Sequence, residues 1–167
     1  MIDIARLSPA DHGAYLAHLL GLDTAALEAR FGAGADQASV QAHALRLAAR
    51  EGVVLGARRF GRLVGTAELI PTVPGKVASA SVAVEREARD AGLGTRLVLA
   101  VIETAREAGC REIYFDMRAD SPAMARILAR VASAAEALPG GRRYVVRVAP
   151  AAAEGGSFWH RLAGRAA

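Results

Sequence analysis

A turn with two closely spaced glycines is the part of this sequence best suited to binding an anion. It lies between a strand-like segment that ends at Val84 and an amphipathic segment that begins near Leu93. Glycine allows a backbone to approach a ligand closely, and the first amides of a helix are unpaired and lie at the positive end of its dipole. The turn is therefore predicted to hold a diphosphate, with charge-assisted contacts from Arg89 and from Arg86 or Arg96. Its residues are Arg89, Asp90, Ala91, Gly92, Leu93, Gly94 and Thr95.

Other uses of such a glycine pair need different surroundings. A tight strand-to-helix turn without a ligand is the simplest alternative. A Rossmann dinucleotide site needs a third glycine three residues later, after the first strand of a parallel unit. Position 97 is Leu and the turn follows several strands, so this reading is rejected. A Walker phosphate loop is rejected as well, because no Gly-Lys-Ser/Thr occurs.

The elements around the turn predict an α+β fold on one mixed central sheet of about six strands flanked by helices. The N-terminal part shows helix signals, including N-cap residues at Ser8 and Asp23. Alternating or β-branched segments then predict strands at 53–58, 62–70, 77–84, 112–117 and 143–148. Helices are predicted at 93–108 and from Ser121 to about Leu138.

The strand 77–84 is predicted to have two different faces. One carries Val77, Ser79, Ser81 and Ala83, and the other carries Ala78, Ala80, Val82 and Val84. Residues 1–150 are interpreted as a single domain, and residues 151–167 as an Ala/Gly-rich tail that docks through an apolar cluster, Phe158–Leu162.

The pattern Val84-x-x-x-x-Arg89-x-x-Gly92-x-Gly94 resembles the acyl-CoA signature of the GNAT superfamily. The N-terminal helices, from Tyr15 to Phe31, and the strand Gly61–Glu68 are also similar to bacterial members. The resemblance implies a GNAT-like fold and an N-acetyltransferase. Such an enzyme transfers an acetyl group from acetyl-CoA, as co-substrate, to a primary amine of a small-molecule or protein acceptor.

The resemblance also implies how acetyl-CoA is bound. The pyrophosphate would lie at the turn Arg89–Thr95, and the pantetheine arm in an opening between the fourth and fifth strands. There it would pair with the backbone of Val82, Ala83 and Val84, and a backbone N–H would polarise the thioester carbonyl. The amine would attack directly and the CoA thiolate would leave.

The general base is less clear, because Ser79 occupies the place where relatives often carry a glutamate. Glu68 on the third strand is the best carboxylate candidate, and the alternative is that it is a solvated strand residue. Glu85 and Asp116 are weaker candidates. The histidines on predicted helices are expected to be surface or packing residues: His12, His18 and His43.

The general acid of many relatives, a tyrosine in the helix after the fifth strand, is missing, since alignment puts Leu128 at its position. General acid assistance is typically worth about 10²- to 10⁴-fold in rate. The CoA thiolate can leave without protonation by a general acid, because a thiol with a pKa near 8.5 gives a fairly stable anion near neutral pH. The alternative is a catalytically degenerate acyl-CoA-binding regulatory module.

Composition limits the remaining classes. The chain has 167 residues, a formal charge of +4 and a pI near 10, which favours anionic partners. The arginines are scattered and no aromatic-lined basic stretch occurs, so no nucleic acid is expected. The single cysteine, Cys110, excludes an intrachain disulfide and a cysteine-cluster zinc site, and no metal is expected. No membrane-spanning segment is evident, so a cytoplasmic protein is expected, with a homodimer left open.

Overall fold

The computed structural model describes residues 1–48, 52–73, 76–117, 121–132, 135–139 and 143–149. The strands of this part are β1 Ile2–Arg6, β2 Val53–Arg59, β3 Arg62–Val73, β4 Val77–Val84, β5 Glu112–Asp116, β6 Ala135–Ala137 and β7 Arg143–Arg147. The helices are α1 His12–Leu20, α2 Thr24–Phe31, α3 Gln37–Ala48, α4 Leu93–Glu107 and α5 Pro122–Val131.

The strands form one mixed sheet in the order β1-β2-β3-β4-β5-β7-β6. Neighbouring strands are antiparallel except β4 and β5, which are parallel and joined through α4. The β4–β5 ladder is short, because Val77–Ala80 pair with Glu112–Phe115 and the ladder ends there. The second half of β4, Ser81–Val84, pairs with β3 alone within the described residues. The two strands therefore separate towards the end of β4.

The two faces of the sheet carry separate apolar cores. On one face, Ala78 and Ala80 of β4 pack with α4 and α5 in the main core. On the other, Ala83 packs with apolar residues of α1 and α3, including Leu19 and Val40. The predicted division of β4 into two faces is thereby confirmed for these alanines, and it follows from the two-residue repeat of a strand.

Helix α4 connects the parallel strands and covers the main core. Its apolar stripe is fully buried, while Arg96, Glu103 and Arg106 lie on its exposed or half-exposed side. Gly109, with φ of 80°, adopts the left-handed conformation that ends the helix. The predicted helix at 93–108 is confirmed to within one residue. The buried stripe consists of Leu97, Val98, Val101 and Ala105.

The predicted α+β fold on a mixed sheet is confirmed, with seven strands in the described residues where about six were predicted, but one helix boundary is wrong. The two strands that were not predicted from the sequence are β1 and β6. Both are short edge strands. β1 alternates over only five residues, with Ile2 and Ile4 half-buried against the main core, and β6 has three residues. Helix α5 ends at Val131 and not near Leu138. The segment Ala135–Ala137 has helix-favouring residues, yet it pairs with β7, and tertiary pairing outweighs helix propensity here.

The predicted domain boundaries are not tested by the structure. The tail residues Phe158–Leu162 lie outside the described residues, and the assignment of 1–150 as one domain stays a prediction.

Cys110 is fully buried in the main core, and burial raises the pKa of its thiol to about 11. Within the described residues, no helix combines the length and the hydropathy that crossing a membrane would require.

Candidate functional site

The turn between β4 and α4 has an open backbone suited to an anion. Asp90 and Gly92 both adopt left-handed conformations, with φ of 60° and 74°. Gly92 is the N-cap of α4, and it offers no side chain to bond the first amides of the helix. A Cβ added at Gly92 would contact no atom within 4 Å. The helix amides are therefore left without a side-chain acceptor beside open space, which fits a phosphate group.

Two of the arginines predicted for this site, Arg89 and Arg96, bond to the protein itself, while Arg86 is exposed. Arg89 donates from Nε to the carbonyl of Val84 at 3.1 Å, and its Nη2 lies 2.7 Å from Oδ2 of Asp23. Asp23 also accepts from the amide of Ala26 and so caps α2. Arg96 donates to the carbonyl of Ile2 at 3.0 Å. Arg89 thus connects the end of β4 to α2, in addition to any contact with a ligand.

The strand segment predicted to contact pantetheine is the part of β4 that β5 does not cover. Val82 and Val84 direct half-buried side chains to the main core, and Ala83 is buried on the opposite face. Their peptide groups on the β5 side of the strand are left outside the β4–β5 ladder. These residues and the turn Arg89–Thr95 are adjacent in the chain, so the structure brings the predicted binding residues together at one end of the sheet.

Glu68 lies on the opposite face of the sheet in a cluster of polar side chains. Its Oε1 accepts from the hydroxyl of Tyr15 at 2.6 Å. Its Oε2 pairs with Nη2 of Arg30 and lies 3.0 Å from Nε2 of His43. These partners come from α1, α2 and α3 respectively, and Glu68 is only 2% exposed. We call Glu68, Tyr15, Arg30 and His43 the Glu68 cluster. The alternative that Glu68 is a solvated strand residue is wrong.

The surroundings of Glu68 keep it ionised. Burial alone would raise the pKa of its carboxyl, but Arg30, His43 and Tyr15 outweigh burial and lower this pKa to about 2. Burial and the neighbouring Glu68 carboxylate raise the pKa of Tyr15, so its hydroxyl stays protonated and donates. A carboxylate with so low a pKa has little tendency to take a proton from an amine. His43 places an imidazole next to this carboxylate, and a neutral imidazole can accept a proton at one ring nitrogen.

The weaker carboxylate candidates are also paired. Glu85 is buried, with Oε1 at 3.3 Å from Nδ1 of His18 and Oε2 at 2.7 Å from Arg62. Burial lowers the pKa of His18, so its imidazole is held neutral. Asp116 is exposed and pairs with Arg143. The prediction of a packing role is confirmed for His18, whereas His43 contacts the candidate base.

A cavity of about 490 Å³ opens beside the Glu68 cluster. Arg30 and His43 line it, together with Phe31 and residues of α3. Both Arg30 and His43 also touch Glu68. The cavity therefore lies next to the face of β3 and β4 that carries Glu68 and its cross-strand neighbour Ser81.

A match to a family model shows to which protein family the chain belongs. The model of the Acetyltransferase (GNAT) family matches residues 20–132, which is more than half of the chain and includes β4, the turn and α4. The chain belongs to the GNAT acetyltransferase family. It is an enzyme of the acyltransferase class, and the resemblance inferred from the Arg89–Gly94 pattern is confirmed.

Solved GNAT structures share the fold at low sequence identity. The GNAT domain of PAT from S. lividans is 16% identical, with a TM-score of 0.68 over 87% of this chain and 89% of that one. The PaiA N-acetyltransferase from Thermoplasma acidophilum, in complex with coenzyme A, is 14% identical, with a TM-score of 0.66 over 89% and 99%. Ribosomal-protein-alanine N-acetyltransferase from Brucella melitensis is 23% identical, with a TM-score of 0.64 over 87% and 99%. No protein of curated function matches the sequence.

Sequence alignment puts Leu128 at the position of the general-acid tyrosine of many relatives. Leu128 is fully buried in the main core, so it serves packing between α5 and the sheet. Sequence reasoning missed Tyr15, Arg30 and His43 as partners of Glu68. No local signal links them, because Tyr15 and Glu68 are 53 residues apart and meet only through packing of the N-terminal helices on the sheet.

Proposed function

We propose that this chain is an N-acetyltransferase that uses acetyl-CoA to acetylate a primary amine of a small-molecule or protein acceptor by direct attack. The observation that supports this most is the separation of β4 from β5 directly before the uncapped start of α4 at Gly92. A strand edge and a helix N-terminus in sequence suit a ligand with an amide-containing arm and a diphosphate. The CoA complex of the PaiA N-acetyltransferase, a protein of the same fold, supports the choice of ligand.

In this proposal the binding residues divide into two groups. The first amides of α4 and the turn Arg89–Thr95 receive the pyrophosphate of CoA. The backbone of Val82, Ala83 and Val84 receives the pantetheine arm, and an N–H in this segment polarises the thioester carbonyl. These residues supply backbone groups, so the proposal depends on the path of the chain more than on their side chains. The residues of the turn are Arg89, Asp90, Ala91, Gly92, Leu93, Gly94 and Thr95.

The chemical step forms one bond and breaks one. The neutral amine nitrogen bonds to the thioester carbon, the C–S bond breaks, and the electron pair leaves with sulfur as the CoA thiolate. The proton of the amine goes to a base. No acid at the position of Leu128 is required, because a thiolate is an adequate leaving group near neutral pH.

The base is assigned to the Glu68 cluster. Glu68 itself was predicted as the base and stays a prediction, although its low pKa makes it a weak proton acceptor. We favour His43, whose Nε2 lies 3.0 Å from Glu68 and which lines the cavity. The same Nε2 also lies 3.0 Å from Nη2 of Arg30. In the tautomer whose Nε2–H donates to the Glu68 carboxylate, Nδ1 is left to accept a proton, and the carboxylate stabilises the imidazolium that forms. Glu68 would then be a positioning residue for His43.

Calorimetric titration tests the cofactor site. Acetyl-CoA and CoA are titrated into the wild type and into a Gly92→Glu, Gly94→Glu double variant. We expect micromolar binding by the wild type and loss of binding by the variant, because two carboxylates at the start of α4 repel the diphosphate. Absence of binding by a folded wild-type protein would mean that the turn is only structural, and the transferase assignment for this site would fall with it.

The chain offers a matched control for these substitutions. Gly61, like Gly92, is exposed, has a positive φ (80°) and has nothing within 4 Å of an added Cβ. Gly13 is the second residue of α1, as Gly94 is the second residue of α4. A Gly13→Glu, Gly61→Glu variant therefore matches the charge change and the backbone strain, and it should bind acetyl-CoA normally. Release of CoA thiol in the presence of amines then separates an active enzyme from a module that only binds acyl-CoA.

A further inference from the structure

The cavity beside the Glu68 cluster has a basic lining. Two arginines and a histidine line it, namely Arg30, Arg46 and His43, along with Ser39 of α3. No carboxylate of the described residues is part of the lining. A cavity with this lining favours an anionic group, since arginine presents paired N–H donors that match a carboxylate.

The two arginines differ in how far the protein satisfies them. Arg30 gives Nη2 to Glu68, but its Nε is buried and has no hydrogen-bond partner in the described structure. Arg46 lies on the exposed side of α3. Glu68 carries one negative charge against these two positive ones, so the cluster and the cavity together keep an excess of positive charge.

Phe31 forms an apolar wall that also orders the basic groups. The guanidinium of Arg30 lies 5.0 Å from the centre of its ring, which is a cation–π distance. The ring of His43 meets it edge-on, with 5.2 Å between ring centres. Two alanines of α3 complete the apolar side. The cavity therefore offers a positive end and an apolar wall in a volume of about 490 Å³, which is within the range of small-molecule sites.

The cavity also lies near the strand proposed to hold the thioester. Arg30 and His43 both contact Glu68, and Glu68 is directly opposite Ser81 in the β3–β4 ladder. Ser81 is the first residue of β4 beyond the β5 pairing. A molecule bound among these side chains is thus on the α1–α3 side of the sheet, the side that carries Glu68 and Ser81.

We propose that this cavity binds the acceptor through a carboxylate, so that the acceptor amine belongs to a small α-amino acid and the product is its N-acetyl derivative. This inference rests on the proposed acetyl transfer. Arg30 and Arg46 hold the carboxylate, Phe31 and the alanines contact the side chain, and the amine lies towards His43 and β4. A basic lining disfavours polyamines, which would bring several positive charges to the arginines.

The test compares acceptors that differ only at the carboxylate. The kcat/KM for acetylation is measured for each standard amino acid and for its carboxamide, and for L-leucine also against 3-methylbutylamine, which has no carboxyl group. We expect the best amino acid to exceed its amide by about tenfold or more, as for the loss of a hydrogen bond to a charged group. An Arg46→Glu variant should lose this preference and keep its affinity for acetyl-CoA. Equal rates with acids, amides and the simple amine would overturn the inference and leave the proposed acetyl transfer intact.

A control and a second measurement separate the two hypotheses. Arg111→Glu makes the same charge change at an exposed residue next to the closed end of the β4–β5 ladder, and it should keep the preference. Binding of L-leucine and L-leucinamide is also followed by NMR without acetyl-CoA, on the ring signals of Phe31 and His43. Binding of the acid alone, lost in Arg46→Glu, supports the anionic site even if acetyl-CoA does not bind. Shifts of equal size with acid and amide, or none with either, contradict it.

Discussion

The two functional regions of this molecule are built from different parts of the chain. The turn at Arg89–Thr95 is a single continuous segment, exposed from Asp90 to Gly92, in which the backbone conformation at Asp90 and Gly92 creates the binding surface. The Glu68 cluster is buried and joins a strand to three helices through side-chain hydrogen bonds. One region uses amides that the fold leaves unpaired, and the other uses side chains that the fold has already paired.

This difference predicts different responses to mutation. A change at the exposed residues of the turn, Asp90 to Gly92, should alter ligand affinity with little effect on folding, because these residues lie outside the core. A change in the Glu68 cluster should alter both stability and chemistry, because the same hydrogen bonds hold α1, α2 and α3 against the sheet.

The strongest test separates the two candidate bases. His43→Gln should lower kcat by about 10²- to 10⁴-fold, the range for general base catalysis, while the Kd of acetyl-CoA is unchanged. The measurement is steady-state kinetics beside calorimetry, with His12→Gln as the control on another helix. If His43→Gln keeps its rate and Glu68→Gln loses it, the carboxylate is the base itself and the role given to His43 is wrong.

Removal of the central carboxylate should strongly destabilise the fold. In Glu68→Ala, Arg30 loses its ion-pair partner and Tyr15 its acceptor, and breaking a buried pair typically costs about 3 kcal/mol or more. Urea denaturation gives this change in the free energy of unfolding. The matched control is Glu136→Ala, which removes an exposed pair with Arg147 and should cost less than about 1 kcal/mol. Similar losses in both variants would mean that burial of Glu68 contributes little.

The same contrast explains what the sequence could predict. The turn was found because its glycines, the strand before it and the helix after it are contiguous, so a local pattern contains the whole site. The strand 77–84 and the helix 93–108 were predicted for the same reason, since their periodicities are unbroken. The pairing of the strand 77–84 with the strand before it follows from the order of elements, because the two are joined by a short segment.

The Glu68 cluster could not be found in this way. Glu68 was recognised as a candidate, but its burial depends on helices that cover β3 from residues 25 to 53 positions away. His43 had no local feature that distinguished it from a packing histidine. Edge strand β6 was missed for a related reason, because its pairing with β7 is a property of the sheet and its Ala-Glu-Ala sequence favours a helix.

Acid should weaken the Glu68 cluster in a defined pH range. The folded pKa of Glu68 is about 2, against an ordinary value of 4.5, so the unfolded chain binds this proton more readily. The resulting stabilisation is present above pH 4.5 and is lost as the pH falls towards 2, and it amounts to roughly 3 kcal/mol. Unfolding free energies of the wild type and Glu68→Gln, measured across this range, should converge as the pH falls. Parallel curves would contradict the low pKa.

The smallest expected effect distinguishes backbone strain from ligand contact in the turn. Gly92→Ala and Gly61→Ala each place a Cβ on a residue with φ near 75–80° and no neighbouring atom, so both should lose about 1 kcal/mol of stability. Only Gly92→Ala puts its methyl group at the start of α4, so only it should weaken the affinity for acetyl-CoA, by a few fold. Thermal denaturation and calorimetry on the pair measure the two effects separately. Equal affinities in the two variants would mean that the ligand does not approach Gly92, and the turn would then differ from the β2–β3 hairpin turn at Gly61 in sequence pattern alone.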